Sequence, residues 1–332
     1  MRRSPGFFID RPDGQLEWFM DVLSSVLREL RFESASYRRL DLRAPWRLRF
    51  DGGLRGVHIV VQGSCSITVD GDRPRNLETG DLVVLPRADS HQMSSMGDEH
   101  GPAESALNLA KRTSGPQLNA GGAGPATTIL CGAFFFGDDD HPAVAGLPSF
   151  IHVPGQGGRS PSWLTGLTGA LAAETVDGGP GSEVVMARLS DALITRALRH
   201  HVETGDVRGW LRGLSDPYVA TALTAVHSDL AAPWTLQSLA EAAGLSRSAF
   251  AARFADTMHQ SPMQYLTQCR MRRAMTLLRS EQLRVAAVAS RVGYSSEAAL
   301  SAAFVRHVGL PPGHYRRSSQ VRSGQGATSR ST

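Results

Sequence analysis

The stretch GLSRSAFAARF, residues 244–254, combines a glycine, a serine two residues later and two rings four apart, Phe250 and Phe254. A glycine at positive φ ends one helix, a serine hydroxyl caps the next, and side chains four apart share a helix face. With both rings turned inward, a rotation of about 100° per residue points Ser248 and Ala252 outward, with Ala251 and Arg253 on the flanks. Ser246 and Arg247 stand at the start of that helix. These side chains suit an acidic polymer with methyl groups and polar edges. Alanine packs on a thymine methyl, serine bonds either class of base edge, and arginine reaches a base or a phosphate.

The same layout returns further along the chain, where TLQSLAEAAGLSRSAFAARF (235–254) recurs as RVAAVASRVGYSSEAALSAAF (284–304). Leu236, Leu239, Ala240 and Gly244 correspond to Val285, Val288, Ala289 and Gly293 at an offset of 49. Ser246, Phe250 and Phe254 correspond to Ser296, Leu300 and Phe304 at an offset of 50, so the second turn is one residue longer. Each copy spells a helix-turn-helix, at about 235–257 and 284–307. In the second, Ala298 and Ala302 face outward, Ser301 and Arg306 lie nearby, and Ser295, Ser296 and Glu297 open the helix. Glu297 can accept from a cytosine amino group or serve only as a first-turn acid facing the helix dipole.

Between the copies, SPMQYLTQCRMRRAMTLLRS opens with Ser261 as cap and Pro262 at the first helical position. A helix of about 18 residues is roughly 27 Å long, near the roughly 34 Å repeat of successive major grooves. Arg306, Arg316 and Arg317 read as phosphate contacts, and Arg270, Arg272 and Arg273 as phosphate contacts or solvated surface. Charge agrees with this placement: residues 1–215 carry 22 basic and 25 acidic side chains, whereas 216–317 carry 11 and 6. The excess positive charge sits on the repeated part. Lys111 is the only lysine, so arginine supplies that charge.

The elements before the repeat follow another period. Residues 15–30 place Leu16, Phe19, Met20, Leu23, Val26, Leu27 and Leu30 at helical steps and predict one amphipathic helix. GVHIVVQGSCSITVDGDRPRNLETGDLVVLPRADSHQM (56–93) consists of short β-branched runs between Asp-Gly and Gly-Asp turns, the pattern of an antiparallel barrel. Residues 97–126 lack periodicity and are expected to form a loop; strand pattern resumes at TTILCGAFFFGDDDHP. Helices are expected over 162–174 and 182–203, the latter with an apolar face wide enough to pack on its own domain, a twin subunit or both.

Residues 216–317, and GYSSEAALSAAFVRHVGLPPGHYR (293–316) above all, resemble the AraC/XylS family's DNA-binding domain. APWRLRF, HIVVQGSCSITVDG, GDLVVLPRADSHQM and ILCGAFFF resemble that family's cupin-type sensor half. The resemblance implies a transcription regulator with a cupin domain, helices that pair two subunits and paired helix-turn-helix units. Many family members hold arginine or another long polar residue where this chain has Ala252 and Ala302. Guanine readout is therefore not expected at those positions.

Metal-binding cupins bring two histidines and a glutamate from a first motif and a histidine from a second. This chain keeps only His58 and His91, fewer than the three ligands of a catalytic centre. No metal or other cofactor is expected, and the chain is not expected to be an enzyme. His58 and His91 are candidates for effector contacts or for plain buried polar side chains. Cys65 and Cys131 offer an alternative reading as a redox sensor, and a metal-dependent cupin enzyme fused to a DNA-binding domain is a second alternative. Trp46, Phe50 and Phe134 to Phe136 lie near the expected barrel mouth, where only alternate rings of a strand can point inward.

The expectation is an α+β chain of two domains. A cupin-like antiparallel β-barrel with flanking helices occupies 1–160, a helical dimerisation and linker region 161–214, an all-α domain with two helix-turn-helix units 215–317, and a disordered tail 318–332. Three dispersed cysteines, no apolar leader after the N-terminal arginines and no 18-residue apolar run lead to the expectation of a cytoplasmic, membrane-free protein, and the resemblance together with the wide apolar face of 182–203 to that of a homodimer. Its expected partners are double-stranded promoter DNA, RNA polymerase and a small-molecule effector that the sequence does not identify.

Overall fold

A computed structural model describes residues 9–10, 16–17, 22–30, 32–98, 101–113, 115–136, 144, 146–204, 210–280 and 283–317. The expected tail, 318–332, lies outside them. The chain divides into two compact units, one of Val26–Leu211, the other of Arg212–Thr332 with Met1–Ser25.

In the first unit, two sheets enclose one core. Before it in the chain, and grouped with the other unit, β1 (Ile9–Asp10) and β2 (Leu16–Glu17) form a separate short pair; helix α1 (Val22–Leu30) follows and crosses the boundary at Ser25. Of the helix expected over 15–30, Val22–Leu30 is helical, whereas Leu16 and Glu17 spend their backbone groups on that ladder; residues 15 and 18–21 lie outside the described residues. The main strands are β3 (Phe32–Arg43), β4 (Arg47–Phe50), β5 (Arg55–Gln62), β6 (Ser64–Val69), β7 (Arg75–Glu78), β8 (Leu82–Leu85), β9 (His91–Ser94), β10 (Glu104–Ser105), β11 (Gln117–Gly121), β12 (Ala126–Phe136) and β13 (Ile151–Val153). One sheet runs β10-β4-β9-β6-β7, the other β11-β3-β12-β5-β8-β13. Leu42, Leu48, Val60, Ile67, Leu77 and Ile129, drawn from both sheets, pack into one buried cluster.

The loop expected over 97–126 is corrected: it contains β10, helix α2 (Ala106–Arg112) and β11. Both strands pair in parallel at sheet edges, β10 with β4 and β11 with β3, and Leu109 of α2 joins the core. Elements of two, seven and five residues are too short to establish a period amid Gly, Ala and Pro.

Helices α3 (Ser162–Asp177) and α4 (Ser182–Thr204) belong to the same compact unit as the sheets, and α4 packs on β3 and β13. Tyr37 of β3 stands opposite Gly132 of β12, and its hydroxyl lies 2.9 Å from Ser190 Oγ on α4. Ser190 donates its proton to Met186 O, so the phenol donates to Ser190.

The second unit is helical: α5 (Trp210–Ser215, whose first two residues close the first unit), α6 (Pro217–Ser228), α7 (Leu236–Ala242), α8 (Arg247–Met258), α9 (Pro262–Ser280), α10 (Val285–Arg291) and α11 (Glu297–Val308). Met271, Ala274, Leu277 and Leu278 of α9 pack with Val288, Ala289, Leu300 and Phe304, so the linking helix shares its core with the second repeat.

Candidate nucleic-acid interface and sensor site

The repeat folds as its spacing dictates. In the first copy Gly244 takes φ +70° and Leu245 N–H returns to Ala240 O, closing α7; Ser246 Oγ then accepts from Ala249 N–H to open α8. Gly293 takes φ +77°, Tyr294 N–H returns to Ala289 O, and Ser296 Oγ accepts from Ala299 N–H at the start of α11. Phe250 and Phe254, like Leu300 and Phe304, are buried. That burial leaves the opposite faces outward. Ser248, Ala252, Ala298 and Ala302 are exposed, Ala251 and Ser301 half-buried on the flanks. Ser246, Arg247, Ser295, Ser296, Glu297 and Arg306 are exposed at the helix ends, with Glu297 the first residue after its serine cap.

Three arginines have partners within their own unit. Arg253 donates from Nε to Asp216 Oδ2 at 2.7 Å and places Cζ 4.7 Å from the Tyr218 ring centroid, so it is engaged within its own unit. Arg316, expected at a phosphate, donates to Leu283 O. Arg270, expected at a phosphate or in solvent, donates to Leu230 O and Ala232 O and lies against Tyr294. Burial lowers its pKa from the usual value. These partners lie 33 to 40 positions away in sequence, beyond the reach of local pattern. The one local clue was Asp216-Pro217, which spells a helix start: Asp216 caps α6 by accepting from Tyr218 and Val219 N–H.

Within the sheets, His58 of β5 and His91 of β9 meet with their Nε2 atoms 2.7 Å apart, both buried. Phe50 stacks on His91 at 4.6 Å between centroids and meets His58 edge-on. A carbonyl only accepts, so the contact of His91 Nδ1 with Asp89 O, 3.3 Å, puts the His91 proton on Nδ1. His58 Nε2 then donates to His91 Nε2, and His58 Nδ1 is left as a buried acceptor with no partner among the described residues. Burial pushes the His91 pKa down to about 4; burial first, and the neighbouring His91 second, push that of His58 well below 6.5.

A catalytic cupin metal needs three protein ligands and an open position. Among the described residues no three His, Cys, Asp or Glu side chains converge. Cys65 is buried and Cys131 packs on the same core, and burial pushes both thiols up to about 12. That holds both as thiols rather than reactive thiolates. Trp46 is core, Phe50 packs on the core beside the histidines, and Phe134 and Phe136 are buried while Phe135 is exposed, the alternation a strand imposes. No described helix is long and apolar enough to cross a membrane.

A double-sheet unit and a paired helix-turn-helix are the two parts of a DNA-binding regulator. The chain matches the Cupin family over residues 21–203 and the helix-turn-helix domain family over 239–318. It is 36% identical to a Streptomyces lividans protein described as an AraC-like transcription regulator, over 90% of this chain and 98% of that one. It is 30% identical to the HTH-type transcriptional regulator AlkR of Acinetobacter baylyi, over 90% of this chain and 100% of that protein. Among solved structures, the DNA-binding domain of AdpA in complex with a target DNA is 32% identical over 33% of this chain and 98% of its own, with a TM-score of 0.32. The chain belongs to the AraC family of transcription regulators.

Proposed function

We propose that this regulator is a cytoplasmic homodimer that activates transcription when a small molecule binds its sensor unit, acting with RNA polymerase at promoter DNA. The observation that carries the DNA-reading part is the pair of outward faces, Ser248 and Ala252 on α8 and Ala298 and Ala302 on α11, on helices of matching caps and core. Ser246, Arg247, Ser248, Ala251 and Ala252 would meet one major groove. Ser295, Ser296, Glu297, Ala298, Ser301, Ala302 and Arg306 would meet the next. The short central side chains favour thymine-methyl and shape readout, with arginines supplying phosphate affinity.

Effector contact at His58 and His91 is supported by the unpartnered Nδ1 of His58, an acceptor that a ligand donor would satisfy. Residues 161–214 would pair subunits and link the units, which the exposed Val176, Val184 and Val185 on α3 and α4 support. The buried, high-pKa thiols support a ligand rather than an oxidant as the signal.

Selection of duplexes from a random library by the full-length chain, followed by binding of the recovered site with Arg247→Ala and Ser248→Ala, tests the reading. Loss at defined base positions is expected with Ser248→Ala; recovery of no enriched sequence would overturn it.

A further inference from the structure

Arg253 is where a DNA-facing arginine is expected, yet its side chain is held by two groups of its own unit. Its Nε donates to Asp216 Oδ2 at 2.7 Å, and the guanidinium covers the Tyr218 ring. The other carboxylate oxygen, Oδ1, already accepts from Tyr218 and Val219 N–H at 3.1 and 3.2 Å, capping α6. A solvated ion pair contributes little because both side chains must be ordered to form it. Here Asp216 is ordered by the cap and is only 17% exposed, and the ring fixes the plane of the guanidinium. The same lead-in segment touches α8 twice more. Arg212 lies 3.6 Å from Asp256, and a Cβ on Gly213 would stand 2.7 Å from Met258 Sδ, so the backbone there sits against the Met258 side chain.

We infer that Arg253 is a positioning residue for DNA recognition: with Asp216 it clamps the segment 212–217, by which the chain enters the DNA-binding unit, to the first reading helix. Its charge is spent on Asp216 and not on DNA. The clamp fixes the rotation and tilt of α8 against α6, and with them the register of Ser248 and Ala252 on the bases. Displacement of the lead-in segment is felt by the reading helix through this pair. The inference rests on α8 facing DNA.

The test uses the full-length chain, a duplex recovered from a random library by the wild type, and a scrambled duplex, over a range of salt. Arg253→Lys keeps a positive charge but loses the planar fork and the ring stacking; Asp216→Ser keeps a capping hydroxyl and loses the carboxylate. Each substitution, and Arg253→Gln, is expected to weaken the selected duplex by about tenfold, and the double variant Asp216→Ser, Arg253→Gln no more than either alone. The salt slope of the selected duplex should stay at the wild-type value and the scrambled duplex should bind as before, so the ratio between the two falls.

A phosphate contact behaves otherwise. It would leave Arg253→Lys near wild type, flatten the Arg253→Gln salt slope by about 0.9 and weaken both duplexes alike; any of these results overturns the proposal. Additive losses in the double variant do so too. Should Arg253→Gln fail to fold, Arg253→Lys and Asp216→Ser decide between the two outcomes. Ala252→Glu separates the two layers of inference. If it binds like wild type, α8 does not face DNA and the proposal falls with that reading; if it is defective while Arg253→Lys is normal, the clamp alone is wrong.

Discussion

His58 and His91 hydrogen-bond to each other through Nε2 atoms 2.7 Å apart, inside a core that excludes water from both. Neither ring can take a proton without losing that bond or carrying charge into the core, and the pKa of His91 is down to about 4. In the unfolded chain the same rings protonate near 6.5. Between these values the unfolded state binds protons that the native state refuses. Stability contributed by the neutral pair is therefore complete above about pH 6.5 and is lost as pH falls towards 4, by at most about 1.4 kcal/mol per pH unit for each histidine. Thermal midpoints from pH 8 to 4 should fall more steeply for the wild type than for His91→Gln, which keeps an acceptor and does not titrate. Coincident slopes would show that the pair takes up protons without unfolding.

The contact between Tyr37 and Gly132 makes a prediction about packing. A Cβ on Gly132 would lie 2.4 Å from the Tyr37 ring, so Gly132→Ala must displace the ring and the α4 helix bonded to its hydroxyl. Overpacking of this kind costs typically about 1–3 kcal/mol. Tyr37→Phe only removes the bond to Ser190, which still donates to Met186 O, and should cost about 1 kcal/mol. Urea unfolding of the two variants should rank Gly132→Ala as the more destabilised. The opposite order would place the stabilisation in the hydroxyl rather than in the close approach.

How much of this was legible from the residues depends on how far apart in sequence the determinants lie. The helix-turn-helix pair was readable because its caps, its positive-φ glycines and its inward rings fall within one twenty-residue stretch, and each is a local consequence of residue type. The parallel edge strands 104–105 and 117–121 were not, since a strand's partner across a sheet edge leaves no periodic mark on so short a segment. Arg253 and Arg316 look alike in sequence to Arg247 and Arg306, and only the fold shows which guanidinium finds a carboxylate or a carbonyl within its own unit. His58 and His91 stand out individually in the sequence, but their meeting across two sheets is beyond local pattern.

Gly244 and Gly293 occupy equivalent turns at similar positive φ, yet their surroundings differ. Among the described residues nothing lies within 4 Å of a Cβ built on Gly244, whereas one on Gly293 would stand 2.6 Å from Arg270 Nη2 and 2.7 Å from Ala231 O. Gly244→Ala should therefore cost only the backbone strain of a left-handed alanine, about 1–2 kcal/mol. Gly293→Ala adds displacement of Arg270, which bonds Leu230 O and Ala232 O, and of the Ala231 carbonyl beside it. Chemical denaturation should show the larger loss for Gly293→Ala, and equal losses would mean that Arg270 and the Ala231 carbonyl both move aside freely.

Ala252 sits at the centre of the outward face of α8, exposed, where a long polar side chain would reach furthest towards the bases. An arginine there can fork onto a guanine edge, a contact worth about 1–3 kcal/mol of discrimination against the wrong base. Ala252→Arg should then change which sequences are recovered in a site selection, adding a guanine at a position where the wild type favours a thymine methyl or has no preference. Affinity for non-specific duplex should rise modestly at low salt, since one positive charge is added. The base preference and the salt effect are separable: a side chain lying along the phosphates would raise binding to every duplex and leave the selected sequence as it was. That second outcome would place Ala252 beside the groove rather than over it, and would move the centre of readout to Ser248 and Arg247.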